Sequence, residues 1–211
     1  MNTLANFKEI SSKARAKLTE VYGLLAGATA LMVLGIMTFP AYLATWRITL
    51  LLVKIGLIIY MATLPVEKKS TKISVLLTIG YIFGGTMQQL IGMYLAVRPD
   101  ILMNAIGYTA CMFGSFTAMS LLSKRRSFLF LGGIISTMVS CLFWMAIIRF
   151  IFGYAIVGGF IYSMIGVVLA SLYVIFDTQL VVERLSRGDY DTPKHALLLF
   201  VDLVQLFIKV L

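Results

Sequence analysis

The chain has 211 residues, 60% of them apolar and only 13% charged, with a formal charge of +9. A water-soluble domain carries roughly a quarter charged residues, so this composition excludes an ordinary soluble fold. The positive charge does not mark a nucleic-acid binder, because the Lys and Arg residues sit in short clusters between apolar runs, where they act as topology signals.

Those runs are ~20 residues long, the length of a bilayer-spanning helix. They lack the two-residue alternation of barrel strands, and a backbone in lipid must satisfy its polar groups within the segment, so helices are the economical solution. In chain order the expected spans are 22–45, 48–65, 73–96, 101–123, 127–150, 154–182 and 195–211. They make one transmembrane domain, 22–211, behind a charged N-terminal segment, 1–21, with connections too short for an extramembrane domain. The expected fold class is an all-α integral membrane protein, a bundle of seven transmembrane helices. No cleavable targeting signal is evident, so the first span is expected to act as its own insertion signal. Cys111 and Cys141 lie within apolar runs, and their spacing gives neither a metal motif nor a disulfide framework.

Orientation follows from the basic residues. Lys8, Lys13, Arg15, Lys17, Lys68, Lys69, Lys72, Lys124, Arg125, Arg126, Arg184, Arg187 and Lys194 fall on one side, thirteen in all. Arg47, Arg98, Arg149 and Lys209 fall on the other. The excess places the N-terminus in the cytosol. The last apolar run has 17 residues and contains an acid, so a re-entrant hairpin stands beside a full span, and the side of the C-terminus stays open.

Three ionisable residues lie well inside expected spans: Lys54, Asp177 and Asp202. Each costs at least a few kcal/mol at the bilayer centre and normally faces protein or water. The long stem of Lys54 can reach an interface, whereas the short aspartate side chain cannot. Asp177 stands five residues before Val182 and Asp202 seven after His195, which puts both carboxylates roughly 8–11 Å from the same membrane edge. Two acids at one depth on consecutive helices are expected to meet, and they share a proton more cheaply than they hold two charges. On the sixth span Gly159, Ser163, Gly166, Ala170 and Asp177 form one narrow stripe. Small residues at that spacing allow close helix packing. On the seventh, His195, Asp202, Gln205 and Lys209 span roughly an 80° arc, expected to face the bundle or a wet cavity. The plainer alternatives are a buried acid pair that only pins two helices, a solvated helix-start role for His195, and helix-to-helix bonding for Gln88 and Gln89.

The segment Phe176-Asp177-Thr178-Gln179-Leu180, with Glu183 and Gly188-Asp189 after it, resembles the Bax inhibitor family, the transmembrane Bax inhibitor motif proteins. So does His195-Ala196-Leu197 leading to Leu199-Phe200-Val201-Asp202. The run Arg125-Arg126-Ser127-Phe128-Leu129-Phe130-Leu131-Gly132-Gly133 is similar to the opening of that family's fifth span, with weaker support from Ala105, Thr109-Ala110 and Phe113. The likeness is good over roughly residues 95–210 and rests mainly on hydropathy before that. It implies six helices around a central seventh, an endoplasmic-reticulum membrane location, a calcium leak tuned by pH, and suppression of cell death. It also implies that Asp177 and Asp202 are the paired aspartates that gate the pore through a shared proton. Three features depart from the family pattern. Gln88-Gln89 stands where many members have Gly-Pro. No clear basic counter-ion matches, Lys68 and Lys69 being the nearest candidates. The sequence stops at Leu211 without the lysine-rich tail of many eukaryotic members, so tail-dependent interactions are expected to be weaker.

The leading functional expectation is therefore a proton-gated cation leak, with calcium held transiently by Asp177 and Asp202 as the transported ion and no resident cofactor. His195, Gln205, Lys209 and Lys54 are its accessory polar residues. The partners expected are the bilayer, calcium ions and protons, cell-death regulators and other endoplasmic-reticulum membrane proteins. The competing expectation is a non-conducting membrane protein that regulates cell death by binding partners, its basic loops meeting them or anionic lipids. An intramembrane aspartyl protease is disfavoured, because such proteases resemble one another in Gly-x-Gly-Asp and Phe200-Val201-Asp202 lacks the glycines; no enzymatic activity is expected. A seven-helix surface receptor is disfavoured by the cytosolic N-terminus.

Overall fold

The computed structural model describes residues 12–44, 46–124, 126–153 and 159–211. The segment 1–11 with Lys8, the motif residue Arg125, and residues 154–158, where the sixth span was expected to open, lie outside the described residues. Seven long helices are described: α1 (Ser12–Thr38), α2 (Arg47–Thr63), α3 (Lys69–Val97), α4 (Pro99–Leu122), α5 (Leu131–Phe152), α6 (Gly159–Ser186) and α7 (Thr192–Val210). A single helical turn, Ala41–Ala44, joins the first two. The architecture is all-α among the described residues, and five helices (α1, α3, α4, α5 and α6) are long and apolar enough to cross a membrane. The chain is thus a multi-pass membrane protein. The other two are less apolar or shorter: α2 has 17 residues, and α7 carries Lys194, Asp202 and Lys209.

Helix boundaries differ from the expected spans where local chemistry intervenes. α1 begins at Ser12, ten residues before the first apolar run, because Ala14, Leu18, Val21, Leu25, Ala28, Met32 and Gly35 repeat at helical spacing and are all buried. A polar-looking opening thus hides one continuous apolar stripe. α1 stops at Thr38, short of the expected 45, since Pro40 disfavours a helical Phe39. α5 starts at Leu131 rather than 127, behind a tight turn in which Arg126 takes φ 64°.

The described chain divides into two compact units. The first comprises residues 12–104 and 184–201, the second residues 105–183 and 202–211. In the first, α1 and α3 meet backbone to backbone. A Cβ on Gly84 would lie 2.0 Å from the Met32 carbonyl oxygen, one on Gly80 2.5 Å from that of Ala28, and one on Gly35 2.2 Å from that of Tyr81. Gly80 and Gly84 are a small-x-x-x-small pair of the kind that lets membrane helices touch. The contact continues through the tilted Phe39–Tyr81 ring pair and a 3.2 Å bond between the Thr38 and Tyr81 hydroxyls.

The second unit has two apolar clusters. Leu131 and Ile135 of α5 pack with Leu169 and Ile175 of α6. Ala170 and Val174 of α6 pack with Leu206 of α7, flanked by Met112, Phe113 and Phe116 of α4.

Candidate functional site

Asp177 and Asp202 both belong to the second unit, and the structure brings them together. They are 5% and 3% exposed, and their carboxyl groups are hydrogen-bonded to each other. Such a bond needs a proton on one of the two groups, because a carboxylate only accepts. Asp202 Oδ2 meets no hydrogen-bond partner among the described residues. The next residue, Thr178, is fully buried, and its hydroxyl likewise has no partner among them. The two helices thus bury polar oxygens with hydrogen-bonding capacity that no described residue uses.

The α6 residues after Asp177 anchor it. Gln179 is 4% exposed. Its carbonyl accepts from the Phe128 amide at 2.7 Å, and its amide donates to the Ser120 and Lys124 carbonyls at 3.3 and 3.2 Å. One side chain thus serves the α4 end and the turn before α5, standing in for backbone partners those segments lack. Ser120 answers by donating its hydroxyl to the Ile175 carbonyl at 2.9 Å. One turn further on, the buried Glu183 carboxylate accepts from Arg126 Nε at 2.9 Å. This pairing holds Arg126 in its left-handed conformation, which non-glycine residues adopt at a cost. Gln179→Leu should remove three bonds and cost about 2 kcal/mol. Thermal unfolding of the detergent-purified protein measures it, and an unchanged midpoint would show the amide to be dispensable.

The small-residue stripe on α6 is only partly buried. Gly166, Ala170 and Asp177 are covered, whereas Gly159 and Ser163 are exposed. The Lys209 stem fills the space beside Gly166, where a Cβ would lie 2.9 Å from Lys209 Cδ. Of the polar arc on α7, Asp202 is buried, whereas Gln205 and Lys209 are exposed. At ~100° per residue Gln205 stands about 60° and Lys209 about 20° from Asp202, so the place on the arc alone does not decide which side chain is covered.

The first unit holds the remaining residues. His195 is fully buried, not solvated; its Nε2 lies 3.2 Å from the Asp189 carbonyl and 3.7 Å from Asp189 Oδ2. Lys54 is half-buried and turns to α3, with Nζ 3.3 Å from the Thr86 hydroxyl and 4.4 Å from the centre of the Phe83 ring. Gln89 is exposed and accepts from Arg47 at 2.5 Å, which ties α2 to α3 as expected of an intramembrane amide. Two ion pairs are new. Lys72, counted above as a loop charge, is 1% exposed and pairs with the buried Asp191. Lys69 pairs with Glu20, which also meets Lys17 at 2.9 Å and the Thr192 hydroxyl at 2.6 Å. The described partners of Lys69 and Lys72 are thus Glu20 and Asp191. Nothing in the local pattern signals these pairs, since each joins residues far apart in the chain.

Comparison with known proteins adds the decisive observation. A family model described as "Inhibitor of apoptosis-promoting Bax1" matches residues 14–211, nearly the whole chain. The chain belongs to the Bax inhibitor family. Bax inhibitor 1 of Oryza sativa subsp. japonica is 32% identical over 211 residues, covering 100% of this chain and 84% of the relative. That of Arabidopsis thaliana is 33% identical over 214 residues, covering 100% and 85%. Bax inhibitor 1 of Homo sapiens is 32% identical over 146 residues, covering 69% and 61%. For this Bax inhibitor family member the match extends through α1–α3, where the motif likeness is weakest.

Proposed function

We propose that the chain is a pH-sensitive calcium leak of the endoplasmic-reticulum membrane, gated by the proton that Asp177 and Asp202 share, and that it suppresses apoptotic cell death. The observation that carries this reading is the contact between two buried carboxyl groups on consecutive helices. Like charges held this close cannot both be ionised cheaply, so a change of protonation changes the force between α6 and α7. In the closed form the pair holds a proton; a change in its charge opens the cytosolic side. Family membership, with relatives named for inhibition of Bax, supports the link to cell death.

The proposed arrangement is a seven-span bundle with the N-terminus in the cytosol and α7 at its centre. The complete burial of His195, Ala196, Leu199, Phe200 and Leu206 on α7 supports a central place for that helix. Two carboxyls are a sparse set for calcium, which normally takes six to eight oxygens. They suit a transient stop on a path better than a tight site, and calcium is cargo here.

The test is calcium flux from liposomes holding purified wild type, Asp177→Asn or Asp202→Asn. Each single variant should change the rate severalfold, because an amide cannot titrate. If the folded wild type gives no flux above empty liposomes, the leak reading fails, and a non-conducting protein that regulates cell death through partners replaces it.

A further inference from the structure

We propose that Arg47 and Lys54 form a binding site for the phosphate of an acidic phospholipid, at the junction of α2 and α3. This site goes beyond the leak reading and does not depend on it.

Arg47 and Lys54 are seven residues apart on α2, so at ~100° per residue they share one stripe, about 20° from each other. That stripe faces α3. Arg47 Nη2 donates to the Gln89 side-chain carbonyl at 2.5 Å, and Lys54 Nζ donates to the Thr86 hydroxyl oxygen at 3.3 Å. The two cations start ~10.5 Å apart along α2. Their partners, however, are three residues apart on α3, neighbours on one helix face with Cβ atoms roughly 5–6 Å apart. The two long side chains therefore converge.

Every described partner of this pair is neutral. Gln89 offers an amide. Thr86 gives its own proton to the Phe83 carbonyl at 2.9 Å and so accepts from the ammonium, and the Phe83 ring centre lies 4.4 Å from Nζ. Arg98, by contrast, is matched by both carboxylate oxygens of Asp100, at 3.1 and 2.9 Å. Two converging cations beside an apolar medium repel each other, and a shared anion removes that cost. The start of α2 adds to the attraction: the helix begins at Arg47, no side chain caps its first turn, and a helix N-terminus favours negative charge.

The surroundings favour an anion that arrives on a lipid over a dissolved one. Ile48, Leu51, Leu52 and Ile55, beside the two cations on α2, are exposed apolar side chains, and Lys54 is half-buried among them. An anion that reaches Lys54 there is best carried on acyl chains. The Lys54 stem leans toward the helix N-terminus, as helical side chains do, and so toward the level of Arg47. Next to Arg47 stands the exposed Trp46, a residue type that settles at the headgroup level.

Trp46 also reports on the site. The chain has two tryptophans, so in a Trp144→Phe background the fluorescence belongs to Trp46. The full chain is reconstituted in phosphatidylcholine liposomes holding a minor fraction of phosphatidylglycerol, with quenching bromine on the acyl chains of one lipid or the other. Brominated phosphatidylglycerol should quench Trp46 about fivefold more per mole than brominated phosphatidylcholine. Arg47→Gln/Lys54→Met should bring the two lipids level, whereas Lys54→Arg should keep the preference. Lys124→Gln/Lys194→Gln, which removes two exposed bases elsewhere, should keep it too. Should the double variant not purify as folded protein, Lys54→Met alone should lower the preference severalfold. Equal quenching by the two lipids in the Trp144→Phe protein, or a full preference without the two cations, overturns the proposal. A preference abolished by inorganic phosphate would assign the pair to a dissolved anion and overturn the lipid as its occupant.

Discussion

Lys72→Met should cost about 3–5 kcal/mol, the usual consequence of removing one partner of a buried ion pair. Lys72 and Asp191 are 1% and 5% exposed, so neither charge can turn to water when the other is lost. Asp191 Oδ2 takes the lysine, and Oδ1 already has no partner among the described residues. The variant therefore leaves a carboxylate with neither oxygen satisfied. Some relief comes from its place just ahead of the first turn of α7, where the helix dipole favours a negative charge, but that contribution is about 1 kcal/mol. Thermal unfolding in detergent should show a drop on the order of 10 °C. Adding Asp191→Asn should recover most of it, because the double variant buries no charge. If Lys72→Met melts with wild type, the pair is not closed in the protein.

Gly84→Ala should be nearly as damaging, although alanine is the better helix former. Its Cβ would stand 2.0 Å from the Met32 carbonyl oxygen and 2.9 Å from the Ile36 amide nitrogen, and both are backbone atoms of α1. A side chain at such a contact can rotate; a helix backbone cannot. One helix must shift bodily, which breaks the neighbouring contacts at Gly80 and Gly35. The cost should exceed the ~1–3 kcal/mol of ordinary overpacking. Gly92→Ala is the internal control: it lies on the same helix with nothing within 4 Å of its Cβ, so it should gain about 0.5–1 kcal/mol. Unfolding midpoints and monodisperse yield of the two variants read the difference. Equal behaviour would mean that α1 and α3 do not touch as described.

The helices were legible in the sequence because each apolar run is long enough to declare itself. Their ends were not, because ends are decided by partners. The first turns of α1 read as polar until Ala14, Leu18 and Val21 are seen to share one buried face. The late start of α5 reflects the Gln179 carbonyl taking the Phe128 amide, a contact across 51 residues. Asp177 and Asp202 could be singled out, since a short acid in an apolar run has no way to reach water. Lys72 could not. A lysine beside a loop reads as a topology signal, and its partner Asp191 reads as an ordinary loop acid 119 residues away. His195 misled for a similar reason: its position at a helix start suggests solvent, but the α6–α7 connection folds over it, and Asp189 supplies the nearest polar atoms. Polar periodicity on α7 singles out Asp202, which is buried, together with Gln205 and Lys209, which are exposed.

Calcium efflux from liposomes across a pH series, wild type beside the double variant Asp177→Asn/Asp202→Asn, tests the shared-proton gate most directly. A wild-type rate that changes with pH, and a double variant whose rate is flat over the same series, is the predicted result. A double variant that keeps the wild-type pH dependence would contradict it, because the proton that gates the leak would then bind elsewhere.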